Sequence, residues 1–183
     1  MEGKTINNQI KKVLISEEQI QNRVSELAKE INRDYSGKKI HLVSILKGAT
    51  IFASDLMRKL EVPVTIDFIS VSSYGNSTES SGVVRIIKDL DHPIEGREIL
   101  LVEDIVDTGL TLKYIQGILL AHKPKSLKTC VFLDKYERRQ VDLKIDYTGF
   151  IIPNEFVVGY GLDFAERYRN LTFLGILKED EYT

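Results

Sequence analysis

Cysteine is nearly absent from this 183-residue chain, where Cys130 stands alone. A single thiol excludes an intrachain disulfide and a thiolate metal cage. Proline is scarce, and Pro63, Pro93, Pro124 and Pro153 sit singly, so no proline-rich linker divides the chain. An excess of positive charge is also missing: 25 Lys and Arg against 27 Asp and Glu leave a formal charge of −2. That balance argues against a nucleic-acid partner bound by bulk charge. No apolar run approaches the roughly 18 residues of a membrane span, so no membrane partner is expected. The N-terminal lysines have no apolar stretch behind them, so no secretory signal is visible and a cytoplasmic location is expected. A GxxxxGK[ST] loop is lacking, and Gly159 and Gly161 open a GxG in which Phe164 takes the place of the third glycine. His41, His92 and His122 are scattered with no metal-ligand spacing.

What is present is core. Apolar residues make up 43% of the chain and charged residues 28%, a composition that folds rather than stays disordered. Ser16 with Gln19 forms a capping-box pattern, and Ile20, Val24, Leu27, Ala28 and Ile31 make one helical stripe ending near Asp34. Ile40 to Leu46 and Val64 to Ser73 read as strands, with a helix between them through Leu60. Tyr74 to Gly82 is polar and has almost nothing to pack. Glu98 to Ile105 is a nearly continuous hydrophobic run, as expected of a strand covered on both faces. A helix follows from Thr111 to His122, then a strand from Leu127 to Asp134, where Cys130 is a small core residue.

This alternation predicts an α/β fold: a central parallel sheet flanked by helices on both faces. The strand from Val83 to Lys88 has no crossover helix before it and reads as part of a flap hairpin. Residues 1–183 are read as one domain, with a core over roughly 37–150 and a small hood from the N-terminal segment and residues 151–183. Sites in such folds lie beyond the carboxyl ends of the strands.

The densest signal is there. A buried strand delivers Glu103 and Asp104 at its end, then Asp107-Thr108-Gly109-Leu110-Thr111 turns into a helix. Gly109 permits a tight turn, and the free amides of a helix start with threonine hydroxyls alongside suit a phosphate. Adjacent carboxylates suit a ribose diol, a Mg²⁺ ion or both. Acidic loops are often merely solvated, and Thr111 could simply cap a helix. The position directly after a hydrophobic strand weighs against that plainer reading.

The stretch LLVEDIVDTGLT resembles the phosphoribosyl-pyrophosphate signature of the type I phosphoribosyltransferases. ILKGA at 45–49, SSYG at 72–75 with TESSG and KDL after it, LDK at 133–135 and FVVGYGLDFAERYRNL at 156–171 match, in order, its branch that uses hypoxanthine and guanine. The resemblance implies transfer of a 5-phosphoribosyl group from phosphoribosyl pyrophosphate to a 6-oxopurine base, giving IMP or GMP and pyrophosphate with Mg²⁺ as cofactor. It implies that Glu103, Asp104, Asp107, Thr108, Gly109, Leu110 and Thr111 hold the phosphoribosyl group, with Asp107 as general base toward the purine N7. Lys47, Gly48, Ser73, Tyr74 and Arg169 are implied at the pyrophosphate, with a cis peptide before Lys47 and a mobile lid opening at Ser73. Ile105, Lys135, Phe156, Val157 and Asp163 are implied around the purine, and Glu103, Asp104 and Asp163 around the metal. Lys135, with donors only, would favour a 6-oxo group over the 6-amino group of adenine.

Each of these residues has an ordinary alternative: most lysines are solvated, Phe156 and Val157 would be core elsewhere, and Asp163 and Arg169 would be a surface ion pair. Leu110 departs from members that carry lysine between the glycine and threonine, which removes a charge but leaves the backbone donors. The family commonly forms homodimers or homotetramers. Two other classes are an RNA-binding regulator on the same fold, which should show a basic surface, and an interaction module, in which the acidic strand end has no purpose.

Overall fold

The computed structural model describes residues 9–73 and 84–181. The expected lid from Tyr74 to Gly82 lies outside the described residues, as does the side chain of Ser73. In chain order the elements are β1 (Ile10–Ile15), α1 (Glu17–Asp34), β2 (Ile40–Leu46), α2 (Thr50–Met57), β3 (Val64–Ser73) and β4 (Val84–Lys88). They continue with β5 (Glu98–Val106), α3 (Leu110–Ala121), β6 (Ser126–Asp134), β7 (Tyr147–Ile151), β8 (Val157–Val158) and β9 (Leu174–Leu177).

The main sheet has six strands in the order β4-β3-β2-β5-β6-β7. All neighbours are parallel except β4, which returns antiparallel along β3 as the expected hairpin. Side chains alternate across the sheet, so β5 sends Leu100 and Val102 into the core with α1 and α2, and Ile99 and Leu101 into the core with α3. Both faces are therefore covered, which is why that strand reads as an unbroken apolar run. The α1 stripe from Ile20 to Ile31 is buried, and its start is held by the capping box: Gln19 N donates to Ser16 Oγ at 3.3 Å and Ser16 N to Gln19 Oε1 at 2.9 Å. The second helix is shorter than expected, ending at Met57 rather than Leu60 in a turn closed by Lys59 N to Leu56 O, 3.0 Å.

A second sheet, β1-β9-β8, joins the two ends of the described chain in antiparallel pairs. The strand β1 escapes the sequence patterning because Lys11 and Lys12 interrupt it and its partner, β9, lies at the far end of the chain. Tyr160 ties this part to the core. Its ring lies 4.9 Å from Phe132, which also meets Phe52 at 5.2 Å, and its hydroxyl donates to Asp55 Oδ2 at 2.7 Å. No helix among the described residues is long and apolar enough to cross a membrane.

Candidate active site

Five parallel strands end on one side of the main sheet, and the singled-out residues follow those ends. At the carboxyl end of β5 the chain turns through Asp107, Thr108 and Gly109 into α3. Gly109, with φ +83°, is the N-cap, and an added Cβ would press on Leu143, so glycine serves both the turn and its packing. No hydrogen bond among the described residues uses the amides of Asp107, Thr108 or Gly109. Beside them lies a hollow of about 180 Å³ lined by Glu103, Ile105, Asp107, Thr108, Gly109 and Thr111, among others. A larger hollow of about 640 Å³ sits at the opposite, amino ends of β2, β3 and β5 and contains none of the predicted site residues. The smaller one matches the position where α/β folds do chemistry.

The acids behind the turn differ in setting. Burial, with the neighbouring Asp104 carboxylate, pushes Glu103 well above the ordinary carboxylate range, and its buried Oε2 has no hydrogen-bond partner among the described residues. Asp104 accepts from the amide of Ile105 at 2.8 Å, and its other oxygen lies where a Cβ on Gly48 would be. A side chain at position 48 would therefore displace the acid. Lys47 precedes that glycine at the carboxyl end of β2, and the Leu46-Lys47 peptide is cis, as the resemblance implies. Gly161, φ +103°, is in turn the only kind of residue that clears the Gly48 carbonyl, so three segments stack closely: 103–104, 47–48 and 159–161.

At the end of β6, Lys135 is buried and donates its amide to Val106 O at 2.9 Å, which fastens the β5 and β6 ends together. Burial lowers its pKa, against the pull of Asp107, whose Oδ2 lies 3.8 Å from Lys135 Nζ. Asp107 Oδ1 is held by Arg138 Nε at 2.6 Å. Sequence reasoning missed Arg138, which sits in a short 3-10 turn over Tyr136–Arg138. The clustered arginines after a strand end were its only signal. Arg139 beside it grips the buried Asp134 through two bonds of 2.9 and 2.6 Å and so braces the residue before Lys135.

The remaining residues come from the 156–169 stretch. Phe156 is 39% exposed and meets Phe164 edge-on at 5.6 Å, while Val157 is buried in β8. Asp163 Oδ1 pairs with Arg169 Nη2 at 2.9 Å. Among the described residues no three His, Cys, Asp or Glu side chains converge to hold an ion. Asp163 Oδ2 also accepts from the amide of Glu166 at 2.9 Å.

A family model described as "Phosphoribosyl transferase domain" matches residues 16–165. The chain belongs to this family. The hypoxanthine-guanine phosphoribosyltransferase of Bacillus subtilis (strain 168) is 50% identical over 177 residues, 97% of this chain and 98% of that protein. A solved hypoxanthine phosphoribosyltransferase from Staphylococcus aureus superposes with a TM-score of 0.95 at 46% identity, covering 100% of both chains. The bifunctional TilS/HprT proteins of Listeria are 49% identical over 181 residues, and the chain spans only 28% of the length of those relatives. The type I phosphoribosyltransferase fold is thus the one the strand order displays.

Proposed function

We propose that this phosphoribosyltransferase moves the 5-phosphoribosyl group of phosphoribosyl pyrophosphate onto hypoxanthine or guanine, releasing IMP or GMP and pyrophosphate. The observation that carries this reading is the 107–109 turn, whose unused amides open on a hollow walled by Glu103 and two threonines. Those amides with the Thr108 and Thr111 hydroxyls hold the 5-phosphate. Glu103 and Asp104 receive the ribose hydroxyls. The stranded Glu103 oxygen beside a second carboxylate fits a hydroxyl donor or a divalent cation, and magnesium needs only one or two carboxylates when a substrate's phosphates complete its shell. When bound there, that ion neutralises charge on the departing pyrophosphate.

The chain's own groups supply the rest. Lys47, the Gly48 backbone and Arg169 receive the pyrophosphate, with Ser73 and Tyr74 at the lid. Lys135 donates to the purine 6-oxo group, Phe156 covers the ring, and Ile105, Val157 and Asp163 border it. Asp107, after exchanging Arg138 for the base, accepts the N7 proton as the purine N9 bonds to the ribose C1 and the bond from C1 to pyrophosphate breaks. Closing the site keeps water from capturing the oxocarbenium-like sugar. Homodimers or homotetramers, a single catalytic domain with a hood, and a cytoplasmic location belong to the same reading.

The test is formation of IMP and GMP from the two bases and phosphoribosyl pyrophosphate, with and without Mg²⁺. Product should form with either base and depend on the metal. No product from either base, together with tight RNA binding, would replace this reading with that of a regulator.

A further inference from the structure

Glu166 is placed where no role has been assigned to it. Its Oε1 accepts from Lys47 Nζ at 3.0 Å, and its Oε2 lies 3.3 Å from Arg169 Nη2. One carboxylate thus spans two cations that come from different loops, with one oxygen on each. Three residues of the short segment carrying it, Ala165 (φ 50°), Glu166 (φ 62°) and Tyr168 (φ 78°), have left-handed backbone, which side-chain-bearing residues rarely adopt. Such backbone persists only where surrounding contacts over-determine it, and it gathers at functional sites. Here the contacts are the Glu166 amide on Asp163 Oδ2, 2.9 Å, and Arg169 Nη1 on the Gly161 carbonyl, 2.8 Å. The Lys47 and Glu166 side chains are 66% and 64% exposed. An ion pair so open to water stabilises a fold little, so stability does not account for a loop bent to make it.

We propose that Glu166 is an internal stand-in for pyrophosphate: its carboxylate holds Lys47 and Arg169 in place while that anion is absent, and competes with it for the same cations when it is present. The inference rests on Lys47 and Arg169 being the pyrophosphate ligands. Two consequences follow from one charge. Before substrate arrives, the two cations stay preorganised on separate loops instead of drifting into solvent. After transfer, the carboxylate returns to Lys47 and Arg169 as pyrophosphate departs, which favours product release over tight product retention. Arg169 Nη2 is shared between Asp163 Oδ1 at 2.9 Å and Glu166 Oε2 at 3.3 Å, and among the described residues its Nε has no hydrogen-bond partner. Glu166 is a positioning residue that touches the ligands of the leaving group.

The test is calorimetric titration of the whole protein with inorganic pyrophosphate in the presence of Mg²⁺. Glu166→Gln keeps the size and removes the charge, and should bind pyrophosphate roughly twofold to fivefold more tightly, the worth of an exposed ion-pair carboxylate. Product inhibition by pyrophosphate should strengthen by the same factor. Affinity equal to or weaker than that of the parent overturns the proposal. Lys47→Met separates this failure from failure of the underlying reading. If it weakens pyrophosphate binding while Glu166→Gln brings no gain, only the stand-in is wrong. If Lys47→Met leaves the affinity unchanged, the pyrophosphate site has been misplaced and the stand-in falls with it.

Discussion

A lysine buried at the end of a strand, whose ion pair among the described residues stretches to 3.8 Å, is an ammonium short of acceptors. Lys135 is in that position, and a 6-oxopurine offers what it lacks. Lys135→Ala should lower kcat/KM for hypoxanthine and guanine by roughly a hundredfold or more, because a site built around a hydrogen bond loses heavily when the bond is removed. Its discrimination against adenine should relax in the same assays. An unchanged ratio of base use would remove Lys135 from the specificity argument. Lys135 and Asp107 were legible because each follows a strand end inside a recognisable block. Arg138 and Glu166 were not, since their meaning lies in partners 31 and 119 positions away. Spacing along the chain carries no trace of such pairs. Asp163 lay in a readable motif, and the structure adds its partners, Arg169 and the amide of Glu166.

Among the elements, the parallel strands β2, β3, β5 and β6 and the helix α1 followed from hydrophobic period and capping, and the β3–β4 hairpin from the lack of a crossover helix, whereas the parallel strand β7 was not read. The short strands β1, β8 and β9 did not, since two to six residues hold too few repeats of a pattern and their pairing is remote. The loop between β8 and β9 is positioned by a close backbone contact as well as by the packing of Tyr160 on Phe132. A methyl at Gly161 would strike the Gly48 carbonyl, and the φ of +103° is itself unfavourable for alanine. Gly161→Ala should therefore push the 159–169 loop off the Lys47 loop. We expect kcat/KM for phosphoribosyl pyrophosphate to fall roughly tenfold to a hundredfold, the scale of a small misplacement of binding groups, with purine KM little changed. Parental kinetics in this variant would mean that the contact does not position the loop.

Across the whole molecule, polar ties link layers that apolar packing alone would leave free to slide. Asp34, closing α1, accepts from Lys128 Nζ on β6 at 2.7 Å and from the Tyr147 hydroxyl on β7 at 2.7 Å. Lys128, Tyr147 and the nearby cations hold the Asp34 pKa down to about 2. A depressed folded-state pKa stabilises above the unfolded value near 3.8, and that stability is lost as pH falls toward about 2. Asp34→Asn should cost about 1 kcal/mol at neutral pH once solvent screening is allowed for. It should also flatten the loss of stability between pH about 4 and about 2. Urea unfolding across that range checks both, and an acid limb as steep as the parent's would show that other carboxylates set it.

The amino-acid sequence by itself determined the layered α/β core and the acidic turn after β5, since local periodicity, capping and one glycine suffice to write them. Only the tertiary structure decided which distant groups share that turn: Gly48 clearing room for Asp104, Arg138 on Asp107, and Glu166 bridging two cations. The physical reason is range. Helix and strand patterns repeat within a few residues, whereas a charge or a missing Cβ takes its meaning from whatever folding brings within a few ångströms of it.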